Sequence, residues 1–294
     1  MNPPHHPPTE AASKRDLVNR GLSPERIAAE FMRLHGSVYV PRTSVPDARA
    51  RIAAAVASAP DGCVVGGVAA SILHGCTWFD GDFEIELFRE PTACNRPARS
   101  RRIIRTDLRE DEITTVDGMR VTTPERTAYD LGRRRPDFRA LGQLEDLARA
   151  TSFSIPKLTQ MAEMRKGRRG VRQLRALIPF INGKGESPLE AWLKLFMVQS
   201  GLPLPVVQWE VFDEFGDFVA RVDLAYVEAK IAVEYDGEEF HSTPEQIARD
   251  EKRDARLRRL GWTVIHVRKD ELRTNPDKVM NKIRTALRER GALY

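Results

Sequence analysis

The sequence predicts a mixed α/β fold divided into three segments, and three observations carry that prediction. Strand-like runs such as "CVVGG", "FEIELF", "SRRIIR" and "MRVTT" alternate with helical runs such as "GVAASILHG", "PERTAYDLG" and "FRALGQLEDLARA", so both periodicities occur in the same stretch of chain. A chain of 294 residues with 41% hydrophobic content can bury two or three cores. Breaks in composition divide it. A Pro- and His-rich head, "MNPPHHPPTEAAS", is followed by a mixed region, and a basic stretch "RKGRRGVRQLR" with "INGKGES" precedes a fresh start at Ser187. The expected layout is a disordered tail over 1–12, a small element over 13–46, an α+β domain over 47–180 and an α/β core over 186–294.

Composition narrows the setting. A net charge of +5 favours an anionic partner, although it is mild beside that of dedicated nucleic-acid binders. Cys63, Cys76 and Cys94 are odd in number and form no CxxC, so neither a disulfide framework nor a structural zinc site is indicated, and a reducing cytoplasm fits. The head has no apolar signal region, and no run of about 18 apolar residues occurs, which disfavours secretion and membrane spanning.

In "SKRDLVNRGLSPERIAAEFMRLHGSVYVPR", two helical patterns flank Gly21 and a strand pattern follows. Ser23 before Pro24 is an N-cap with proline at the first helical position. Two helices and a strand suggest a minimal winged helix-turn-helix. Arg26 and Arg33 on the second helix, with Arg42 in the wing, would then meet DNA phosphates or a groove. A small helical hairpin docked on the rest of the chain is the alternative.

In the middle segment, Gly66 and Gly67 before a helix, followed by Asp82 and Glu84 on a strand, mimic a nucleotidyltransferase site. Glycine doublets before helices and solvated acidic strand faces explain the same residues without chemistry. Thr123 before Pro124 is another N-cap, and Arg126 and Asp130, four residues apart on one helical face, read as a local ion pair.

Three stretches, "LVNRGLSPERIAAEFMRLHGSVYVPR", "VVGGVAASILHG" and "GMRVTTPERTAYDLG", resemble the AbiEi family of antitoxins and transcriptional repressors over about 15–180. The resemblance implies a DNA-binding winged helix and a domain that contacts a partner, a cognate toxin, or more DNA.

"SPLEAWLKLFMVQSG" opens the third segment with Ser187 as N-cap and Pro188 at the first helical position. Leu189, Trp192, Leu193 and Phe196 form one buried stripe, and Gly201 stops the helix. "VVQWEVFD", the turn "EFGD", "FVARVDLAYV" and "KIAVEYDG" read as an antiparallel meander. A charged helix, the strand "WTVIHV" and a last helix complete an α/β core.

Within the meander, Glu234 and Asp236 share one strand face, because strand side chains alternate. A two-residue loop sets Asp223 against Glu234 and a four-residue loop against Asp236, whereas an unbulged three-residue loop puts it on the wrong face. Opposed carboxylates about 4.5–5.5 Å apart at Cβ suit one shared hard cation, Mg²⁺ or Mn²⁺, whose usual work is phosphodiester hydrolysis.

This spacing resembles the PD-(D/E)XK nuclease core. More closely, "SPLEAWL", "ARVDLAY", "IAVEYDGEEFH" and "RDEKRDARLRRLGWTVIHV" resemble an endonuclease-like domain family related to very-short-patch repair endonuclease, over about 186–290. The resemblance implies Asp223 as principal metal ligand, Glu234 as second acid and Glu190 as the helix-borne acid that holds metal-bound water. His241 matches the histidine that follows. Asp236 occupies the lysine position of the motif and adds negative charge where lysine would orient water. His241 as acid/base, Asp236 as a further ligand, and Lys252 and Arg253 reaching back to phosphate are the open compensations.

Each residue also has a structural alternative. Glu190 stands three residues after Ser187, the spacing of a capping box. Asp250, Arg253 and Asp254 read as an exposed ion-pair lattice, and His266 as a strand residue. The expected protein is a DNA-binding, magnesium-dependent endonuclease of repair or defence, partnered by DNA and by a toxin or repair protein, with no membrane and with oligomeric state left open. The alternative is a non-catalytic repressor or antitoxin.

Overall fold

Ser13 and Ser23 each accept a hydrogen bond from the backbone three residues on, Asp16 N at 3.1 Å and Arg26 N at 3.3 Å, and so start α1 (Lys14–Asn19) and α2 (Pro24–Glu30). The computed structural model describes residues 12–35, 38–90, 101–236 and 244–293. Residues 1–11 of the tail expected over 1–12, Cys94 and His241 lie outside the described residues. Gly21, at φ 85°, takes the left-handed conformation that turns the chain between the two helices. Ala12, expected in the tail, opens β1 (Ala12–Ser13), which joins β2 (Phe31–His35) and β3 (Val38–Pro41) in the antiparallel order β1-β3-β2. Leu17, Leu22, Ile27 and Phe31 fill the space between helices and sheet. One expectation is corrected: Arg33 lies on β2 and not on the second helix, because pairing of 31–35 with β3 ends the helix at Glu30.

After α3 (Ala48–Ala57), a five-stranded sheet forms from β4 (Val64–Gly66), β5 (Ile85–Arg89), β6 (Arg101–Arg105), β7 (Ile113–Val116) and β8 (Met119–Thr122), with α4 (Gly67–Leu73) following β4. The strand order is β6-β5-β4-β8-β7, and β4–β8 and β5–β6 are parallel. Val65, Ile85, Leu87 and Val121 pack with Ile52, Ala69 and Leu73 in its core. The acids offered for nucleotidyl transfer do not converge there. Asp82 and Glu84 are exposed and precede β5, and Glu84 faces Arg102 at 3.7 Å. The buried acid of this strand is Glu86, ion-paired to Arg134. Gly67, at φ 59°, leaves that carboxylate room, since a Cβ there would collide with it. Then come α5 (Pro124–Gly132), α6 (Asp137–Thr151), α7 (Ile155–Met164) and α8 (Val171–Leu177).

The chain divides into two units, residues 1–134 with 150–179, and residues 135–149 with 180–294. The second holds α9 (Pro188–Gln199), β9 (Val206–Phe212), β10 (Phe218–Tyr226), β11 (Ile231–Asp236), α10 (Pro244–Arg259), β12 (Thr263–Arg268), α11 (Lys269–Thr274) and α12 (Pro276–Glu289). Its sheet runs β12-β11-β10-β9, antiparallel except for the β11–β12 pair. Leu193, Met197, Leu224, Ile231, Val233 and Ile265 pack against Val279, Met280 and Ile283 of α12 on one face.

The α9 stripe is wider than its spacing suggested. Leu193, Leu195 and Met197 are buried together with Lys194, while Leu189, Trp192 and Phe196 are only partly so. A second neighbour explains this, since α6 meets α9 through Phe138 and Trp192 and through Glu145 and Lys194. The Lys194 ammonium bonds Glu145 Oε1 at 2.5 Å and Phe180 O at 2.7 Å, and Glu145 Oε2 accepts from Gly183 N at 2.6 Å. A buried charge survives only with such partners. Leu141, Leu144 and Leu147 are fully buried on α6, and truncating any one to Ala costs about 2–5 kcal/mol in such settings. Among the described residues, no helix is long and apolar enough to cross a membrane.

Candidate active site

The pairs Leu224–Val233 and Tyr226–Ile231 fix the β10–β11 register and leave four residues, 227–230, in the turn. One step further, Asp223 stands across from Glu234. A four-residue loop was expected to set Asp223 against Asp236. That is corrected, because shortening such a turn to two residues adds one pair and leaves every other pair in place. On its other side β11 runs parallel to β12, which places His266 beside Glu234 and Arg268 beside Asp236. Asp223, Glu234, Asp236 and His266 therefore share one face of the sheet.

The fourth acid arrives from α9. Ser187 Oγ caps the helix by accepting from Glu190 N at 3.1 Å, and the Glu190 carboxylate turns back to accept from Glu186 N at 3.0 Å. That is one residue short of the expected capping box, in which the Ser187 amide is the donor. The same Glu190 oxygen accepts from Gln208 Nε2 at 3.1 Å, and this amide also donates to Asp223 Oδ1 at 3.1 Å. Gln208 thus bridges two acids from its place on β9. Its backbone is left-handed, at φ 52°, a conformation costing a non-glycine residue about 1–2 kcal/mol. Asp223 Oδ2 accepts from Tyr235 N at 2.9 Å.

The acids are poorly neutralised. Glu234 is 5% exposed. Burial raises its pKa, the Asp223 charge adds to the rise, and Arg253 opposes both, leaving it at about 7. Burial also raises Asp223 against the hydrogen bonds from Tyr235 N–H and Gln208, and it raises Glu190, with Asp223 contributing. Helix α10 brings Arg253, whose guanidinium lies 3.6 Å from Glu234 and 3.5 Å from Asp254. His266 Nδ1 meets Asp236 at 3.1 Å and Nε2 meets Asp254 at 2.8 Å. Those hydrogen bonds, Asp236 first, lift the imidazole to about 9, so at neutral pH it is a cation donating to both acids.

The proposed ligands Asp223, Glu234 and Glu190 are thus neighbours, and Asp236 lies beside them but is held by His266. Lys252 is exposed on α10, whereas Arg253 turns inward. Asp254 is 5% exposed, which corrects the exposed lattice expected for it. Arg26 is ion-paired to Glu30 on α2 at 2.9 Å. Arg42 donates to Ala28 O at 3.2 Å. Gln208, His266 and Asp254 were not anticipated as members of the site. Their place depends on which strand lies beside which, and no local pattern carries that.

Among the described residues, no group of three or more His, Cys, Asp or Glu side chains is gathered as a metal site. What is present is a pair. Asp223 and Glu234 are hard oxygen donors on opposed strand positions, and Glu234 Oε1 is buried with no hydrogen-bond partner among the described residues. An acceptor in that state fits a hard divalent cation.

Residues 38–180 match the family model for the AbiEi antitoxin C-terminal domain, and residues 206–287 match the model REase_MTES_1575. Two curated relatives, "Uncharacterized protein Rv2248" of Mycobacterium tuberculosis (strain ATCC 25618 / H37Rv) and "Uncharacterized protein MT2308" of strain CDC 1551 / Oshkosh, are each 35% identical over 170 residues. Each match covers 57% of this chain, and the chain spans 62% of the length of those relatives. The crystal structure of the RV2827C protein from Mycobacterium tuberculosis aligns at a TM-score of 0.41 and 15% identity, over 69% of this chain and 84% of that one.

Proposed function

We propose that this chain, which joins an AbiEi-type segment to a restriction-endonuclease-like segment, binds DNA and hydrolyses its phosphodiester bonds with Mg²⁺ or Mn²⁺. One observation carries the reading. The buried Glu234 stands across from a second acid, Asp223, and its Oε1 has no hydrogen bond among the described residues, only the Arg253 guanidinium at 3.6 Å, so the acid pair is left short of positive charge that a cation would supply. Asp223 and Glu234 would hold the cation, with Glu190 as the next donor once Gln208 yields it. A bound ion would supply charge neutralisation at the phosphoryl oxygen and lower the pKa of a coordinated water.

The other groups work through position. Tyr235 N–H and Gln208 fix the Asp223 carboxylate. Arg253, 3.6 Å from Glu234, supplies a cation that a scissile phosphate can meet. Asp236 removes the lysine of the nuclease motif, and His266 on the next strand restores a positive charge beside it. In this proposal the protein works in the cytoplasm, in DNA repair or defence.

A second reading, a non-catalytic DNA-binding repressor or antitoxin with a toxin partner, draws on the match over 38–180 and on Asp236 itself. Incubation with supercoiled, mismatched and single-stranded DNA in Mg²⁺, Mn²⁺ or chelator separates the two. Metal-dependent nicking that disappears in Asp223→Ala and Glu234→Ala is expected. Tight binding that survives chelation and yields no cut product would favour the second reading.

A further inference from the structure

Helix α5 buries two charged residues, Arg126 and Asp130, that the proposed nuclease does not use. Arg126 bonds Asp130 at 2.8 Å, Glu112 at 2.5 Å and the Asp107 carbonyl at 3.0 Å. Arg133 reaches Asp130 at 2.8 Å, and Arg165 pairs with Glu112. The local ion pair expected at Arg126 and Asp130 is therefore one link in a larger network. Three guanidinium groups, from Arg133, Arg165 and Arg126, surround the ring of Tyr129 at 4.4, 5.2 and 5.9 Å from its centroid.

These side chains line a cavity of about 820 Å³, to which Arg105, Lys166 and Arg168 also contribute. Its walls carry two acids, Asp107 and Glu163. With the buried Glu112 and Asp130 behind them, six cations meet four acids, an excess of two positive charges. Arg105 is exposed at the end of β6.

The network also ends in unmet donors. Tyr129 Oη, Arg133 Nε and Arg165 Nη1 are buried with no hydrogen-bond partner among the described residues. Tyr129 is 2% exposed, and burial raises its pKa, so it keeps the proton it would donate. A network built only for stability satisfies its own donors, since each orphan costs about 1–3 kcal/mol. Three donors and surplus positive charge call for an anion rich in acceptors.

We propose that this cavity binds the terminal phosphate of a small molecule of nucleotide size. Guanidinium forks match phosphate oxygens in pairs, and the volume lies within the roughly 300–1,000 Å³ typical of small-ligand sites. A terminal phosphate has three free oxygens and one flanking substituent, so it can reach a floor as buried as Tyr129. A phosphate within a continuous duplex carries a sugar on both sides and leaves only two oxygens free.

Titration calorimetry on the full chain at low salt tests this, with pyrophosphate, AMP and a short blunt duplex lacking terminal phosphates as separate probes. Saturable binding of pyrophosphate and AMP is expected. Tyr129→Phe weakens both about five- to tenfold while leaving the ligand-free thermal midpoint unchanged or higher, because it removes a hydroxyl that has no partner. Arg105→Gln weakens both about threefold. Absence of saturation by either small probe at millimolar concentration, binding of the duplex alone, or affinities unchanged in both variants would each overturn the proposal.

Discussion

Replacing Glu234 by glutamine tests the electrostatics of the acid pair directly. In the folded chain the carboxyl rises from its ordinary 4.5 to about 7, through burial and then the Asp223 charge. Between these two values the folded state holds a proton that the unfolded state has released, so stability falls as pH rises through that window. At about 1.4 kcal/mol for each tenfold change in proton affinity, the penalty reaches at most about 3.5 kcal/mol above neutral pH, an upper figure because Asp223 shares the titration. Glutamine keeps the shape and carries no charge. In urea unfolding with chelator, Glu234→Gln should match the wild type below about pH 4.5 and exceed it by at most about 3.5 kcal/mol near pH 8. Mg²⁺ should stabilise the wild type near pH 8 and leave the variant unmoved, since binding to the folded state adds stability by mass action. A difference between the two proteins that stays flat from acid to alkaline pH would refute the argument.

Further outcomes follow from other buried charges. Lys194→Met strands Glu145 without its cation and should cost about 3–5 kcal/mol in chemical denaturation, whereas Lys194→Met with Glu145→Leu should recover most of that loss. The His266 imidazole should titrate near 9 by NMR. Its stabilisation is full below the ordinary 6.5 and is lost as pH rises through 9, a trend that His266→Asn should abolish. Gly170 caps α8 at φ 82°, where a Cβ would collide with the Arg133 carbonyl, so Gly170→Ala should lower stability by about 2 kcal/mol or more, read as a fall in thermal midpoint.

Much of the fold was legible because it is local. Ser23–Pro24, Thr123–Pro124 and Ser187–Pro188 each mark a true helix start, and the alternation in "IAVEYDG" correctly puts Glu234 and Asp236 on one face. Arg33 was misplaced because "FMRLH" suits either period over so few residues, and pairing with β3 decides between them. His266 was set aside because only the parallel β11–β12 contact brings it to the acids. Gln208 gave no signal, since its role rests on one left-handed backbone position. The unmet donors around Tyr129 were equally hidden, because a sequence gives donors but not whether anything answers them.

Helix α6 carries one more implication. Its residues fall within the stretch that matches the antitoxin family, 38–180, yet residues 135–149 pack with 180–294, and Glu145 is the counter-ion of Lys194. Homology and mechanical integrity therefore divide the chain at different places. A fragment beginning at residue 186 would inherit the whole endonuclease-like pattern and still bury an ammonium group with no carboxylate to meet it. Recombination that exchanges the C-terminal portion between such fusions must carry this helix along, or else lose the lysine it neutralises.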